Sequence, residues 1–395
     1  MRLYDTAAQA VVPFDVGPDV TMYTCGITPY DSTHLGHAAV YLTYDILQRR
    51  LRDRGHGTRC VRNITDVDDS ILAKARELGV HYLDLAAAET ARFDRDIVTL
   101  GLIPSFAEPR ATSAIPEIRN FIGVLLDNGH AYRAGGAVYF DVSTSADFGA
   151  ISHAGRAEML ELSAERGGNI DDPNKRDPLD FVLWQPSEPG EPSWDSLWGP
   201  GRPGWHVECS ALCLRELGET IDVHGGGADL IFPHHECSAA QSRAVTGRRL
   251  SRYWVHQAMV RMDGEKMSKS LGNLVFVSDL AEHWDPRAIR LAVSVHHYRT
   301  EWEWRETLMD EADERLRRWR AQRGGAQGAL DEVRAALDDD LDTTGAVDAI
   351  DRAVAAGRRV DDAAPARCRP PGRRLGARRG HLTRRGGRHG VPARG

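Results

Sequence analysis

The chain of 395 residues is short of lysine, of cysteine and of long apolar runs, and each shortage excludes something. Four lysines stand against 46 arginines, so any place where lysines gather carries information. Six cysteines, at positions 25, 60, 209, 213, 237 and 368, are too few and too scattered for a disulfide scaffold. They read as reduced thiols of a cytoplasmic protein, some of them bound to metal. No CxxC pair occurs, which argues against a self-contained zinc finger. No stretch of about 18 apolar residues is available to span a membrane. The opening MRLYDTAAQAVVPFD lacks the uninterrupted apolar core of a secretory signal. No internal repeat is visible.

What is present is an ordinary globular composition, 42% hydrophobic and 27% charged, on a chain long enough to bury a core in two or more domains. The net charge of −7 hides a split. Residues 357–395 hold twelve arginines against two aspartates, a formal +10, so the remainder carries −17. That acidic body weighs against a large nucleic-acid partner. The terminal RCRPPGRRLGARRGHLTRRGGRHGVPARG is Arg, Gly and Pro without an apolar pattern, and cannot offset its own ordering entropy. It reads as a disordered tail or the frameshifted end of a GC-rich gene; a basic RNA-binding arm is the competing reading.

Residues 20–24 (VTMYT) read as a buried strand ending at Cys25-Gly26. Residues 34–54 carry Leu35, Ala38, Ala39, Leu42, Ile46, Leu47 and Leu51 at helical spacing and stop at Gly55. Residues 58–64 (TRCVRNI) read as a second strand. Strand, helix and strand in succession suggest a parallel βαβ unit, and the expected class is α/β with a Rossmann-like parallel sheet. Residues 1–104 are its first half, and 105–204 an insertion with a helix over 113–129 and a strand pair around 137–142. Residues 205–265 are the second half, 266–300 a glycine-flanked loop and its sequel, 301–356 a helical C-terminal region and 357–395 the tail.

Three constellations suit chemistry. In CGITPYDSTHLGH, His34-Leu35-Gly36-His37 sits where a strand's loop hands over to a helix start, whose free N–H groups and dipole favour an anion. Two histidines at i, i+3 share a face there; taken alone, they are more readily structural or surface residues. In MDGEKMSKSLGN, Lys266 and Lys269 lie with two serines between Gly264 and Gly272. Half of all the lysines are here, as a cationic clamp suited to a leaving pyrophosphate. The third constellation is Cys25, Cys209, Cys213, His224, His234, His235 and Cys237, on segments that an α/β sheet can gather at its carboxyl edge. Within it Cys213, beside Leu212 and Leu217, reads as core, as does Cys60 in its strand.

HLGH and KMSKS resemble the two ATP-binding motifs of class I aminoacyl-tRNA synthetases. CGIT, NITDVDD, KRDPLDFVLW, GWHVECSA and HGGGADLIFPHHE are similar to the cysteinyl branch, and the resemblance covers roughly residues 20–300. One kind of member charges tRNA with cysteine; another joins cysteine to the amine of glucosaminyl-inositol in mycothiol biosynthesis. The chain leans to the second. Cys237-Ser238 stand where the tRNA enzymes have Asn-Glu, whose Glu is the fourth zinc ligand. Ala39 replaces an Arg, and ERGGNIDDPNKRDP resembles the ligases' ERGG segment, imperfectly at Asn169-Ile170. A cysteinyl-tRNA synthetase is the alternative, and a non-catalytic zinc-binding paralogue a second.

The resemblance implies one Zn²⁺ on Cys25, Cys209 and His234, with an open position for the substrate's sulfur, so that editing against serine is unnecessary. It implies ATP, with Mg²⁺, served by His34, His37, Lys266 and Lys269 as catalytic residues. Cys25, Gly26, Ile27, Thr28, Val40, Asn63, Ile64, Thr65, Trp205, Gly227, Ala228, Asp229 and Val260 are the expected cysteine and adenylate contacts. Asp229 and Asp66 are candidates for a general base, with ribose or structural roles weighing more for each. The expected enzyme is a cytoplasmic monomer that binds L-cysteine, ATP and glucosaminyl-inositol, without membrane or nucleic acid, and forms their cysteinyl amide, AMP and diphosphate.

Overall fold

The structure, a computed structural model, describes residues 1–30, 34–267, 272–321 and 328–357. All of them fall in one compact unit, Met1–Pro365; a second, Ala366–Gly395, lies outside the described residues.

An antiparallel hairpin of β1 (Arg2–Asp5) and β2 (Ala10–Pro13) opens the chain. The expected unit follows as β3 (Asp19–Ile27), α1 (Leu35–Asp53) and β4 (Gly57–Ile64), with β3 and β4 parallel. After α2 (Asp69–Leu78), α3 (Tyr82–Thr99) and α4 (Ile115–Asp127) come β5 (Ala131–Ala134), β6 (Ala137–Phe140), α5 (Arg156–Glu165), β7 (Phe181–Gln185) and β8 (Arg202–Pro203). These four strands form an antiparallel sheet in chain order. The chain returns through α6 (Trp205–Leu217), β9 (Ile221–Gly227), α7 (Glu236–Thr246) and β10 (Ser251–Gln257). A three-stranded sheet joins β11 (Val260–Met262), β12 (Glu265–Lys266) and β13 (Trp302–Glu303), with α8 (Val277–His283) and α9 (Pro286–Ser294) between the last two. The described chain closes with α10 (Thr307–Ala321), α11 (Gly328–Asp338) and α12 (Thr343–Ala355).

The central sheet runs β10-β9-β3-β4, all parallel. Its order reverses between β3 and β9. At such a point the connections leave the two strands in opposite directions and open a crevice at their carboxyl ends. Those ends are Cys25-Gly26-Ile27 and Gly225-Gly226-Gly227. Two motifs some 200 residues apart, by the numbering, therefore face each other.

β3 runs past the expected residues 20–24. Its pairing with β4 shifts register between Thr24 and Ile27, then resumes at Ile27 opposite Ile64. A shift of this kind re-aims a side chain, here Cys25. Glycine is required at the crowded places: a Cβ on Gly26 would overlap the Asn63 carbonyl, and one on Gly225 the Tyr44 hydroxyl and the Val255 carbonyl. The strand pair expected around 137–142 is the β5–β6 hairpin, turned at Gly135-Gly136, both at positive φ (56° and 83°).

Candidate active site and metal centre

A cavity of ≈ 410 Å³ opens at the crevice. Of the expected residues, Cys25, Gly26, Ile27, Thr28, His34, His37, Val40, Trp205, Gly227, Asp229 and Val260 line it. Gly36 of HLGH lines it too, as do Tyr30, Tyr41, Leu230, Gln257, Ala258, Met259 and Met267, for which the sequence implies no role. Several of these flank residues with an expected role, so adjacency was the available signal.

Asn63, Ile64 and Thr65 lie behind β3 instead of on the wall. Asn63 Oδ1 accepts from the Gly26 N–H (2.9 Å) and faces the Cys209 thiol (3.6 Å), while its Nδ2 donates to Thr65 Oγ1 (3.0 Å). Ile64 pairs with Ile27, and the Thr65 N–H donates to the Ile27 carbonyl (3.0 Å). Their part is to hold the strand end in place. Ala228 sits in the turn Ala228–Leu230 beside the wall.

The helix start forms part of the cavity wall through His34, Gly36 and His37. His34 caps α1, its Nδ1 accepting from the Gly36 N–H (3.1 Å), so the neutral ring carries its proton on Nε2. The His34 and His37 rings lie 3.9 Å apart, and a Cβ on Gly36 would come within 2.8 Å of the His34 ring. Lys266 ends β12, and the next amide, Met267 N–H, donates to the Val260 carbonyl (2.8 Å). Lys269 lies outside the described residues. Past that segment the chain returns to the helix start, where the Leu35 N–H donates to the Val275 carbonyl (2.8 Å). The HLGH segment and the chain flanking KMSKS thus meet at one end of the cavity.

Cys25, on the cavity wall, also forms a buried cluster with Cys209 and His234, whose ligand atoms lie within 4.8 Å of one another. The two sulfurs are 3.8 Å apart, about the separation of two thiolates on one tetrahedral zinc at ~2.3 Å each. His234 Nδ1 meets His206 Nδ1 (3.0 Å), while its buried Nε2 has no partner. An imidazole with one nitrogen held and the other orphaned is what a ligand looks like. Burial pushes the Cys25 thiol up, whereas the hydrogen bond from Cys25, followed by neighbouring His234, brings that of Cys209 well down. The donor set fits Zn²⁺.

Cys25 also belongs to a second group, with His224 and His235. Here Cys25 Sγ is 3.2 Å from His235 Nε2, His235 Nδ1 is 2.7 Å from His256 Nε2, and His256 Nδ1 is 2.7 Å from Thr6 Oγ1. Burial holds all three imidazoles well toward the neutral form, His256 at about 3. His206 and His256 escaped the sequence reading, since nothing local marks a histidine whose partner lies 20 or more residues away. The first group, with two thiols, suits a soft divalent ion better. Trp205, the first residue of α6, stacks on His234 with ring centroids 4.3 Å apart.

Asp66 is fully engaged: its oxygens accept from the Thr112 N–H (2.9 Å) and Oγ1 (2.6 Å), so it is structural. Asp229 faces the cavity. Cys213 and Cys60 are core residues, 0% and 5% exposed.

Such a crevice, with a helix start at one end, defines a class I synthetase fold. Mycobacterium tuberculosis methionyl-tRNA synthetase bound to methionyl-adenylate superposes with a TM-score of 0.67 at 17% identity, over 85% of this chain and 82% of that one. A family profile described as "tRNA synthetases class I (C) catalytic domain" matches residues 13–314, and the chain belongs to that family. Within it, the chain is 50% identical over 355 residues to the L-cysteine:1D-myo-inositol 2-amino-2-deoxy-alpha-D-glucopyranoside ligase of Acidothermus cellulolyticus, covering 88% of each chain. The ligase of the same name from a Parafrankia species is 48% identical over 384 residues, covering 93% of this chain and 86% of that one.

Proposed function

We propose that the protein is an ATP-dependent, AMP-forming ligase. It activates L-cysteine as cysteinyl-adenylate and condenses it with the amine of glucosaminyl-inositol, giving Cys-GlcN-Ins, AMP and diphosphate, in mycothiol biosynthesis. One juxtaposition carries the reading: Cys25, clustered with Cys209 and His234, lines the same cavity as the HLGH helix start. A sulfur reader sharing a cavity with a helix start that carries two histidines suits the activation of cysteine by ATP. The acceptor comes from the ligases to which the chain is about half identical.

Zn²⁺ on Cys25, Cys209 and His234 supplies, when bound, a direct bond to the substrate's sulfur, which serine's hydroxyl replaces poorly. Trp205, stacked on His234, covers the cysteine side chain. Gly26, Ile27 and Thr28 track its backbone, and Asn63 keeps that turn in register. The cysteine carboxylate attacks the α-phosphate of ATP, which enters with Mg²⁺, and diphosphate leaves. His34 and His37 hydrogen-bond the phosphates, while Lys266 and Lys269 neutralise the leaving charge. Gly227, Ala228, Asp229 and Val260 surround ribose and adenine. The unprotonated sugar amine then attacks the carbonyl, AMP departs with the bonding pair of the broken C–O bond, and the nitrogen releases one proton to solvent as the amide forms. Placement and charge do most of this work.

The proposal includes a cytoplasmic monomer in which residues 105–204 interrupt the catalytic halves 1–104 and 205–265. Among the described residues no helix is long and apolar enough to cross a membrane. Purified protein should exchange pyrophosphate into ATP only when cysteine is present. Offered glucosaminyl-inositol and tRNA separately, it should place cysteine on the sugar. Cysteine on tRNA and none on the sugar would overturn the assignment.

A further inference from the structure

The ERGG segment has no task in this mechanism. Its structure is a helix end. Arg166 caps α5, Gly167 follows at φ +83°, and the Gly168 N–H reaches back to the Ser163 carbonyl (2.8 Å). A left-handed residue followed by such a bond reverses the chain sharply, and a Cβ on Gly168 would collide with Ser163. The reversal leaves Arg166 as the last side chain of the helix. Its Nη1 donates to the Asp229 carbonyl (2.6 Å) and also to the Phe232 carbonyl.

Those two carbonyls belong to the turn between β9 and α7. The same turn presents Asp229 to the cavity and, two residues beyond Phe232, places His234 beside Cys209. Charge-assisted bonds from one guanidinium nitrogen to two carbonyls hold better than neutral ones. An error of a fraction of an ångström in His234 would be felt at the sulfur site.

We propose that Arg166 is a positioning residue: the insertion, through this one side chain, holds the β9–α7 turn so that His234 and Asp229 keep their places at the cysteine end of the cavity. This rests on the cysteine-activating reading above. The experiment uses the full chain with Arg166→Met and Arg166→Lys, and Arg156→Ala as control. Arg156 lies on the same helix, 57% exposed and paired with Asp177 at 2.8 Å. KM for cysteine and for ATP are measured in pyrophosphate exchange, and bound zinc after a fixed dialysis against a chelator.

Arg166→Met should raise KM for cysteine about tenfold, move KM for ATP by less than about twofold and lose zinc faster than Arg156→Ala. Arg166→Lys, whose ammonium can still donate to both carbonyls, should recover most of both effects. Unchanged KM and zinc retention in the Met variant would overturn the proposal. So would an equal rise for both substrates, or a Lys variant no better than Met. Should Arg166→Met not fold, Arg166→Gln takes its place with the same outcomes. A wild-type protein without cysteine-dependent exchange would sink the functional reading, and the zinc comparison would still decide the clamp.

Discussion

At Asn63 a single amide holds three parts of the site: the Gly26 N–H, the Cys209 thiol and the Thr65 hydroxyl. Replacing Asn63 with Ala leaves the Gly26 amide facing an apolar gap, which costs about 2 kcal/mol. Urea unfolding should show that loss together with a raised KM for cysteine; a variant that keeps both wild-type values would show that Asn63 is dispensable. The proposed zinc site allows a sharper test. Cys209→Ser should purify without zinc by elemental analysis and without exchange activity, because an alcohol is a far poorer ligand than a thiolate. Full activity in a zinc-free Cys209→Ser protein would refute the metal role. The clustered Cys25, Cys209 and His234 were legible as candidates in the sequence, because cysteines and paired histidines are few. Their supports were not. Asn63 and His206 are ordinary residues until the fold brings Gly26, 37 positions away, and His234, 28 away, against them.

The elements that the sequence revealed are those with strong periodicity and local end signals. α1 starts one residue after the expected 34 because His34 spends its ring on the Gly36 amide as a cap, and ends at Asp53 before Gly55. β8 and β13, two residues each, exist through pairing with β7 and β11 and are too short to carry a pattern of their own. α2 permits a pH test. Asp68 caps it, accepting from the Ile71 N–H (2.8 Å) and from Thr28 Oγ1 (3.2 Å) at the cavity wall. Burial, with Asp69 adding to it, pushes its carboxyl up from 3.8 to about 6. The folded protein therefore holds this proton more tightly than the unfolded chain. Asp68 contributes fully below about pH 4, and that contribution fades as pH rises through about 6. Asp68→Asn keeps an acceptor for the cap and removes the titration. Relative to wild type it should gain roughly 1–2 kcal/mol between pH 4 and pH 7 in denaturant unfolding. Parallel pH profiles would rule this out.

Across the whole molecule, the described C-terminal residues fasten both the opening hairpin and α1. Asp340, 4% exposed, accepts from the Tyr4 N–H, the Tyr298 hydroxyl and Arg299 Nε, each at 2.7 Å, and its own N–H donates to the Arg2 carbonyl (3.1 Å). Two residues earlier, Asp338 takes a two-point grip from Arg50 of α1 (2.9 and 2.6 Å), and Arg334 grips Asp53 at the end of the same helix. All of these contacts close before Gly357. A chain ending at Gly357 should therefore match the full chain in thermal midpoint and in exchange activity. It also sheds the +10 of the tail, so it should bind an anion exchanger more tightly. A chain ending before Gly328 takes Asp338 from Arg50, which keeps Asp53, and takes Asp340 from both Tyr298 and Arg299. Breaking a buried charge pair costs about 3–5 kcal/mol, against a total stability of roughly 5–15 kcal/mol, so this shorter chain should not fold. Asp340→Ala isolates one knot and should cost about 3 kcal/mol in urea unfolding. If the chain ending before Gly328 melted at the full-length midpoint, the C-terminal helices would be ornaments on a core that stands without them. If RNA copurified with the full chain and not with the one ending at Gly357, the arginine-rich tail would be a nucleic-acid arm, which the acidic body argues against.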